Sequence, residues 1–375
     1  MKLLVISLLI FIFSAPAISK ADVQQPIKVK ISFMEALAPK DTTSSERFQK
    51  EYEYAVQTGK DLTREKLKSC GYEFIEEKVL YDASDNLQAF EQAKKSEAAG
   101  SWLIVGPRRS NHYLLAVKGA PETPSVSIMA SAKEVFQLNS MHLSLAQSNQ
   151  QMAKVLAREV QKKFKTKAKY FSIVSEDCVS CVDFAASFDV EAKKLNLKSK
   201  HQLYFSGEQP NIEDLEKTFL KEKPDFVLIP NYSMVSAYLM GIISKWNPKV
   251  FFIGGDGWGD AKYGFVHDSP QLSKVNGMTV KGMPPVNKGL EFFDLGKEIL
   301  KNPSLASAFP ASGSAQALLK VIQDVSEILC KYKPKDKKEF TASFKDNGSK
   351  YFKNPWGVSV YKLFEGEIIF DKTVN

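Results

Sequence analysis

The 375-residue sequence is poor in the residues and motifs that mark common active sites. It contains only four cysteines and four histidines, and it has no Gly-x-Ser-x-Gly turn, no His-Glu-x-x-His pair and no Gly-x-x-x-x-Gly-Lys-Ser/Thr loop. The nucleophilic, zinc-dependent and nucleotide-binding chemistries that use those motifs therefore have no support. The histidines also lack close spacing with the cysteines, so we predict no metal site and no cofactor.

Long apolar runs are absent except at the N-terminus. A short basic start is followed by the apolar segment Leu3–Phe13 and by Ser14–Ala21, which is rich in small residues. This order is typical of a secretory signal peptide, for which we expect cleavage after Ala21, although Ala17 also satisfies the small-x-small rule. A membrane anchor is the alternative, but a spanning helix needs about 20 apolar residues. No cysteine lies at the cleavage region, so we expect an exported protein without a lipid anchor.

A strong charge imbalance is also missing. The formal net charge is +8, which is modest for this length, and 44% hydrophobic with 25% charged residues is ordinary globular composition. The length favours two domains. Two lysine-rich runs, 162–169 and 331–338, lack interleaved aromatic residues, so we interpret them as solvated surface and predict no nucleic-acid partner. Contact with a transporter or an anionic membrane is the alternative for these runs.

The four cysteines of an exported chain suggest disulfides. Cys178 and Cys181 are three residues apart and can pair only locally, which leaves Cys70 and Cys330 as a long-range pair. That second bridge would tie an early helix to a late one, so that the chain returns to its first domain. Because Cys178 follows a strand and opens a helix, a thiol enzyme that uses this Cys-x-x-Cys is an alternative interpretation.

Short β-branched or apolar runs alternate with amphipathic stretches along most of the chain. The predicted strands are Ile27–Met34, Phe74–Leu80, Trp102–Val105, Ser125–Met129, Tyr170–Val174, Gln202–Phe205, Phe226–Ile229, Val250–Ile253 and Met278–Lys281. The predicted helices are Ser45–Thr58, Asn86–Ala99, Ser148–Phe164, Val182–Leu195, Ile212–Glu222, Ser233–Trp246 and Ser312–Leu329. A terminal hairpin of 357–364 and 367–370 completes the pattern. The alternation predicts an α/β fold with parallel central sheets.

Four segments carry a resemblance to a known family. They are Gly106–Ser110, Pro124–Ser131, Pro224–Tyr232 and Phe252–Gly257. In this order and spacing, the chain resembles the type I periplasmic binding proteins, specifically the branched-chain amino acid and amide group of ABC transporter substrate-binding proteins. The resemblance covers nearly the whole chain after the signal peptide.

The resemblance implies two Rossmann-like lobes that are joined by three crossover segments and enclose a ligand between them. Residues 22–145 and 283–353 would form the first lobe, and residues 146–282 and 354–375 the second. It also implies a periplasmic, monomeric protein that binds an amino-acid-like small molecule and contacts ABC transporter membrane subunits. Such a protein would not be an enzyme.

The resemblance places polar ligand contacts at Ser110 and Ser131, whose hydroxyls would meet a ligand carboxylate, and at the backbone of Met129. Free N–H groups at a helix N-terminus support an anion site at Ser110 on physical grounds as well. Asp256 would accept hydrogen bonds from a ligand ammonium. Each of these side chains could instead serve only as a helix cap, a loop residue or a turn residue.

The walls of the implied site are less typical of the family. Tyr232 and Phe309 would line it, but Ser180 stands where relatives carry a tyrosine, which removes one aromatic wall. Arg108 and Arg109 are more positive than the residues usual before the serine, which favours a more acidic ligand. The alternatives to solute binding are a ligand-free or sensory adaptor of the same fold and a thiol–disulfide enzyme that uses Cys178 and Cys181.

Overall fold

A computed structural model describes most of the chain after the predicted signal peptide. The described residues are 25–37, 43–82, 84–165, 167–207, 209–258, 272, 274–285, 288–310, 312–364 and 367–375. The signal peptide predicted at residues 1–21 lies outside them. Within these ranges, no helix has the length and apolar character that crossing a membrane would require.

The first sheet consists of five parallel strands in the order β2-β1-β3-β4-β5. The strands are β1 Ile27–Leu37, β2 Tyr72–Asp82, β3 Leu103–Val105, β4 Ser125–Ser127 and β5 His142–Ser144. Their buried residues are mostly apolar, with the polar exceptions Ser32, Glu35, Ser125, Ser127 and His142, and helices cover both faces of the sheet.

Five helices pack on this sheet: α1 Thr43–Ser69, α2 Asn86–Ala98, α3 Ser110–Gly119, α10 Gly313–Tyr332 and α11 Lys337–Tyr351. One face buries Phe33 against α1 and α10, and the other buries Met34 against α2 and α3. Because successive side chains of β1 point to opposite faces of the sheet, they belong to two separate hydrophobic cores. The late helices α10 and α11 return to the sheet that the first strands began.

The second sheet has seven strands in the order β12-β11-β10-β9-β8-β6-β7. The strands are β6 Lys169–Ser175, β7 Lys198–Phe205, β8 Phe226–Leu228, β9 Phe251–Gly254, β10 Asn276–Lys281, β11 Val358–Phe364 and β12 Glu367–Val374. The first five in the chain are parallel, and β11 and β12 are antiparallel. The predicted terminal hairpin is therefore confirmed as an antiparallel edge; its turn, 365–366, lies outside the described residues.

Helices also cover both faces of the second sheet. Helices α4 Asn149–Phe164 and α5 Val179–Lys194 pack on one core, and α6 Ile212–Glu222 and α7 Ser233–Trp246 on the other. Two short helices, α8 Asp294–Lys301 and α9 Pro303–Ala308, precede α10. The layer order is helix, sheet, helix in each half.

Both predicted disulfides are present. Cys70 and Cys330 join the end of α1 to α10, with an S–S distance of 2.04 Å and a sequence separation of 260. Cys178 and Cys181 pair at the start of α5. The long-range bridge confirms that the chain returns late to its first sheet.

Asn354 ties together the three segments that run between the two sheets. Its side-chain amide donates to the carbonyls of Leu145 at 2.8 Å and Gly282 at 2.9 Å. The N–H of Gln147 also donates to the Gly282 carbonyl, at 3.1 Å. We propose that these segments are the three crossovers, at the lobe boundaries that the sequence predicts.

Several predicted boundaries were wrong. Strand β4 ends at Ser127 and not at Met129, because the Ser127 hydroxyl accepts the N–H groups of Met129 and Ala130 and turns the chain.

The basic run 331–338 is not surface throughout: Lys337 begins α11 and donates to the Thr123 hydroxyl at 2.9 Å. Helix α11 itself was not predicted.

Candidate functional site

The candidate site lies where the carboxyl ends of the two parallel sheets face each other. Ser110 follows β3 and Ser131 follows β4 in the first sheet. Ser180, Tyr232 and Asp256 follow β6, β8 and β9 in the second sheet. The carboxyl ends of parallel strands are the usual ligand-binding edge of open α/β sheets.

Ser110, the residue that begins α3, anchors the loop that follows β4. Its Oγ accepts the N–H groups of Ser131 at 3.1 Å and Ala132 at 3.2 Å, and only 3% of Ser110 is exposed. Ser110 is the first residue of α3, and Arg109 occupies the cap position. In the described part of the chain, no acceptor takes the hydrogen of the Ser110 hydroxyl. It therefore remains available to an oxygen of a ligand.

A chain of hydrogen bonds connects the two sides of the cleft. The hydroxyls of Ser131 and Ser180 are 3.0 Å apart, and the Ser131 hydroxyl acts on Asp256 by lowering its pKa. Either of the two hydroxyls can be the donor of this hydrogen bond. The amide of Asn149 donates to the Ser180 hydroxyl at 3.3 Å and to its carbonyl at 3.0 Å. These hydrogen bonds fix the predicted residues Ser131 and Ser180 relative to each other across the cleft.

A second polar link lies beside the first. The Asp183 carboxylate accepts the N–H of Lys133 at 3.0 Å and the side-chain amide of Asn149 at 2.9 Å. Burial raises the pKa of Asp183, and these two hydrogen bonds oppose that rise. Since Lys133 follows β4 and Asp183 lies on α5, this link also joins the two halves.

Asp256 and Lys281 follow or end two adjacent parallel strands, β9 and β10, and the Lys281 amine lies 5.0 Å from the centroid of the Tyr361 ring. Thr279 pairs with Gly254, the last residue of β9, so Lys281 at the end of β10 and Asp256 in the turn after β9 both lie at the carboxyl edge of the sheet. Lys281 is 4% exposed and its charge acts on Asp256. Burial raises the pKa of Asp256 to about 6, while the Ser131 hydrogen bond and Lys281 oppose the rise.

Arg109 and Tyr232 form a contact between the two sides. The guanidinium carbon of Arg109 lies 4.9 Å from the centroid of the Tyr232 ring, which is a cation–π arrangement. Arg109 is exposed, and Tyr232 is partly buried. The aromatic wall predicted at Tyr232 is thus partly covered by a cation.

An ion pair lies next to this contact in the first half. Arg108 and Glu35 are 3.2 Å apart, with Glu35 nearly buried. Burial raises the pKa of Glu35, and Arg108 opposes the rise. The buried hydroxyl of Tyr52 has no hydrogen-bond partner within the described ranges, and its pKa is raised by burial and then by Glu35.

Met129 and Phe309 lie apart from the serine and aspartate network. The sulfur of Met129 is 3.5 Å from the hydroxyl of Ser314, near the start of α10. Phe309 is 6% exposed and belongs to the core under α1, where its ring lies 6.2 Å from that of Tyr54. The side chains of these two residues therefore lie beside α10 and α1, while the Met129 backbone, which is the part predicted to bind, lies two residues before Ser131 and donates its N–H to the Ser127 hydroxyl at 3.4 Å.

Three contributors to the site were not predicted from the sequence. Asn149 begins α4, Asp183 lies one turn into α5, and Lys281 ends β10. The cap at Ser148 marks the start of α4, so the place of the buried Asn149 at a helix start had a local signal. Lys281 had none, because its position beside Asp256 depends on strand register.

The described residues contain no cluster of three or more histidine, cysteine or carboxylate side chains that could hold a metal ion. Hydroxyl, amide, guanidinium and carboxylate groups make up the site instead. Such groups can bind and orient a small polar molecule.

No protein-family model and no curated protein sequence matches this chain. Several solved structures of other proteins are similar to it over most of their length. A leucine-binding protein from Thermotoga maritima has a TM-score of 0.72 at 15% identity, covering 92% of this chain and 99% of that chain. The leucine-, isoleucine-, valine-, threonine- and alanine-binding protein from Brucella ovis, in its closed conformation, has a TM-score of 0.70 at 14% identity, with 93% and 95% covered.

A solute-binding protein of an ABC transporter from R. palustris, solved with benzoate, has a TM-score of 0.67 at 14% identity, covering 92% of this chain and 95% of that chain. These likenesses extend over nearly the whole chain and confirm the predicted α/β architecture.

Proposed function

From the type I periplasmic binding protein fold of this chain, we propose that it is an exported solute-binding protein. It captures a small polar ligand, such as an amino acid, an amide or a related carboxylate, between two lobes. It then delivers the ligand to the membrane subunits of an ABC transporter. The protein acts in the periplasm as a monomer and carries out no covalent step.

One observation carries this proposal. Ser110, Ser131, Ser180, Tyr232 and Asp256 come from five different strand ends and converge between the two sheets. Convergent polar groups on two facing units can bind a ligand that touches both, and such a ligand favours the closed arrangement. The solved structures of similar fold include ABC transporter proteins with amino acids or benzoates bound, which supports the same role.

Native mass spectrometry of the purified protein tests the proposal. We expect a single small molecule bound per chain before unfolding, absent after unfolding and refolding and restored on adding back the released fraction. Ser131→Ala should retain less of it, because the hydroxyl that bonds to Ser180 across the cleft is lost. No bound molecule and no rebinding would contradict the proposal.

An adaptor of the same fold remains the second candidate, and one observation favours it. The two halves already bond directly to each other, through Ser131 with Ser180 and Lys133 with Asp183. An adaptor would keep its binding to an envelope protein after Ser131→Ala.

No observation favours a thiol enzyme, since Cys178 and Cys181 are 5% and 2% exposed and thiol–disulfide exchange requires an accessible sulfur.

A further inference from the structure

Exposed lysines form a row at the amino edge of the second sheet, which is the end opposite the candidate site. Each of the five parallel strands begins with such a lysine or has one within three residues before it: Lys198 for β7, Lys169 for β6, Lys223 for β8, Lys249 for β9 and Lys274 for β10. One of these five strands lies beside the next. At about 4.8 Å between neighbouring strands, the row is roughly 20 Å long.

The helices that end at this edge enlarge the charged surface, which we call the basic pole. It consists of the last turns of α4, α5, α6 and α7, the described residues that lead into the five strands, and the residues beside the terminal hairpin turn: 161–165, 167–169, 191–198, 219–226, 243–251, 272, 274–276, 364 and 367. These residues include thirteen lysines and four acids, the acids being Glu191, Glu222, Asp225 and Glu367. The excess of nine positive charges is larger than the net charge of the whole chain, +8.

Most of these lysines have no acidic partner. All thirteen are exposed. Three of them pair with an acid of their own helix at 2.6 to 2.7 Å: Lys162 with Glu159, Lys193 with Asp189 and Lys194 with Glu191. In the described part of the chain, no carboxylate forms an ion pair with the other ten. Their charge is therefore available to an external anion.

The helix dipole alone does not explain the basic pole. Lysines near helix C-termini are favourable in general, and the first half has them too, as at Lys118 in the last turn of α3. The residues that lead into the strands differ between the halves. In the first sheet, the described residues directly before the five strands, 25–26, 70–71, 99–102, 120–124 and 138–141, contain no lysine and one acid, Glu122. The row of lysines is thus particular to the second sheet.

An open depression of about 340 Å³ lies within the basic pole. It is lined by Lys167, Lys193, Asn196, Leu197 and Lys198. Lys193 already has its acid partner on α5, whereas Lys167 and Lys198 have none among the described residues. Lysine amines and an asparagine amide donate hydrogen bonds, which phosphate oxygens accept. The depression therefore suits a phosphate group.

Apolar side chains are exposed among the lysines. Leu220, in the last turn of α6, is 47% exposed, and Phe364, at the end of β11, is 51% exposed. Trp246, the last residue of α7, is partly exposed. Apolar and aromatic side chains beside lysines are typical of surfaces that lie in the interface of an anionic membrane, because the former enter the lipid while the latter meet the headgroups. A soluble acidic partner would not require them.

We propose that the basic pole binds reversibly to the surface of an anionic phospholipid membrane. The lysines contact the lipid phosphates, and Leu220, Trp246 and Phe364 lie at the interface. Strand β6, seven residues long, separates the pole from the candidate site by roughly 20 Å, so membrane binding leaves the cleft open to solvent. The inference does not depend on whether the cleft binds a solute.

Sedimentation with lipid vesicles tests the inference on residues 22–375, the chain without the predicted signal peptide. One set of vesicles contains equal parts of phosphatidylglycerol and phosphatidylcholine, and the other contains phosphatidylcholine alone. We expect at least about tenfold tighter binding to the anionic vesicles at about 0.05 M salt. Most of this difference should disappear at about 0.5 M salt, because salt screens exposed charges.

A combined variant assigns the binding to the basic pole. Glutamine should replace four lysines that start or precede strands: Lys169, Lys198, Lys249 and Lys274. We expect binding to anionic vesicles to weaken at least about thirtyfold, since each lysine near an anionic surface contributes several-fold in affinity.

A matched control changes the net charge by the same amount in the first half. It replaces by glutamine four exposed lysines that have no ion pair among the described residues: Lys68, Lys118, Lys338 and Lys345. This variant should bind the anionic vesicles within about threefold of the wild type, because its lysines lie outside the pole.

Three results would overturn the inference. Equal binding to the two kinds of vesicle would show that the lipid charge is not recognised. Equal losses in the two variants would show that net charge, and not the basic pole, is responsible. Binding to soluble polyglutamate as tight as to the anionic vesicles would assign the pole to an acidic protein instead. None of these results would bear on solute binding in the cleft.

Discussion

Asp256 is the residue whose ionisation most directly affects stability at the site. Burial raises its pKa from 3.8 to about 6, even though Ser131 and Lys281 oppose the shift. A carboxyl with a higher pKa in the folded than in the unfolded state holds its proton better when folded, so stability falls as pH rises through that interval. The cost is absent below about pH 4 and complete above about pH 6.

Asp256→Asn should therefore stabilise the ligand-free protein at pH 7.5 by roughly 1 to 3 kcal/mol, because the amide resembles the protonated carboxyl. The gain should disappear at pH 4. Denaturant unfolding at both values measures it, with Asp346→Asn, an exposed site on α11, as the control. Equal stability of wild type and variant at pH 7.5 would contradict the assigned cause.

Ser110 gives a second prediction at this scale. Ser110→Ala removes the acceptor of two buried N–H groups, those of Ser131 and Ala132. We expect a loss of about 1 to 3 kcal/mol in the free energy of unfolding, since buried donors without a partner are costly. Ser110→Thr keeps the hydroxyl and should lose less. Equal losses in the two variants would show that packing, and not the hydrogen bonds, is responsible.

At the scale of elements, the sequence predicted the sheets better than it predicted the site. Short continuous apolar runs identify buried strands such as Phe226–Leu228, because a strand covered on both faces is apolar along its whole length. Helix α11 was missed because its lysines dominate the local composition. Phe340 and Phe344, four residues apart and buried, with the cap Asp336 before them, were the available signal.

The site was only partly predictable, for a physical reason. Ser110, Ser131 and Asp256 follow strands and are visible in local sequence. The common edge that holds Lys281 and Asp256 requires the register of β9 with β10, and the hydrogen bond of the Lys133 N–H with Asp183 requires the packing of the two halves. Neither is encoded by a spacing along the chain.

The bridge between α1 and α10 gives a prediction for these elements. Replacing both Cys70 and Cys330 by alanine should lower the free energy of unfolding by about 2 to 5 kcal/mol, because a long loop in the unfolded chain is no longer closed. Denaturant unfolding under oxidising conditions measures it. Replacing Cys178 and Cys181, three residues apart, should cost less. The opposite order would contradict this account of the long-range bridge.

At the scale of the whole molecule, the link between Lys133 and Asp183 should hold the two halves together. Asp183→Ala removes the acceptor for the Lys133 N–H and for Asn149. We expect the closed arrangement to lose about 1 to 3 kcal/mol and the ligand-free protein to have a larger radius of gyration in X-ray scattering. Asp346→Asn is again a suitable control. A radius identical to that of the wild type would refute this role.

The central claim is that two facing sheets enclose a small ligand. A thermal-shift screen of refolded protein against amino acids, amides, ureas, dicarboxylates and aromatic acids tests it most directly. A ligand at 1,000 times its dissociation constant stabilises by about 4 kcal/mol, which corresponds to a shift of roughly 8 to 16 °C for lobes of this size. We predict such a shift with at least one of these compounds, and no shift with any of them would contradict the claim.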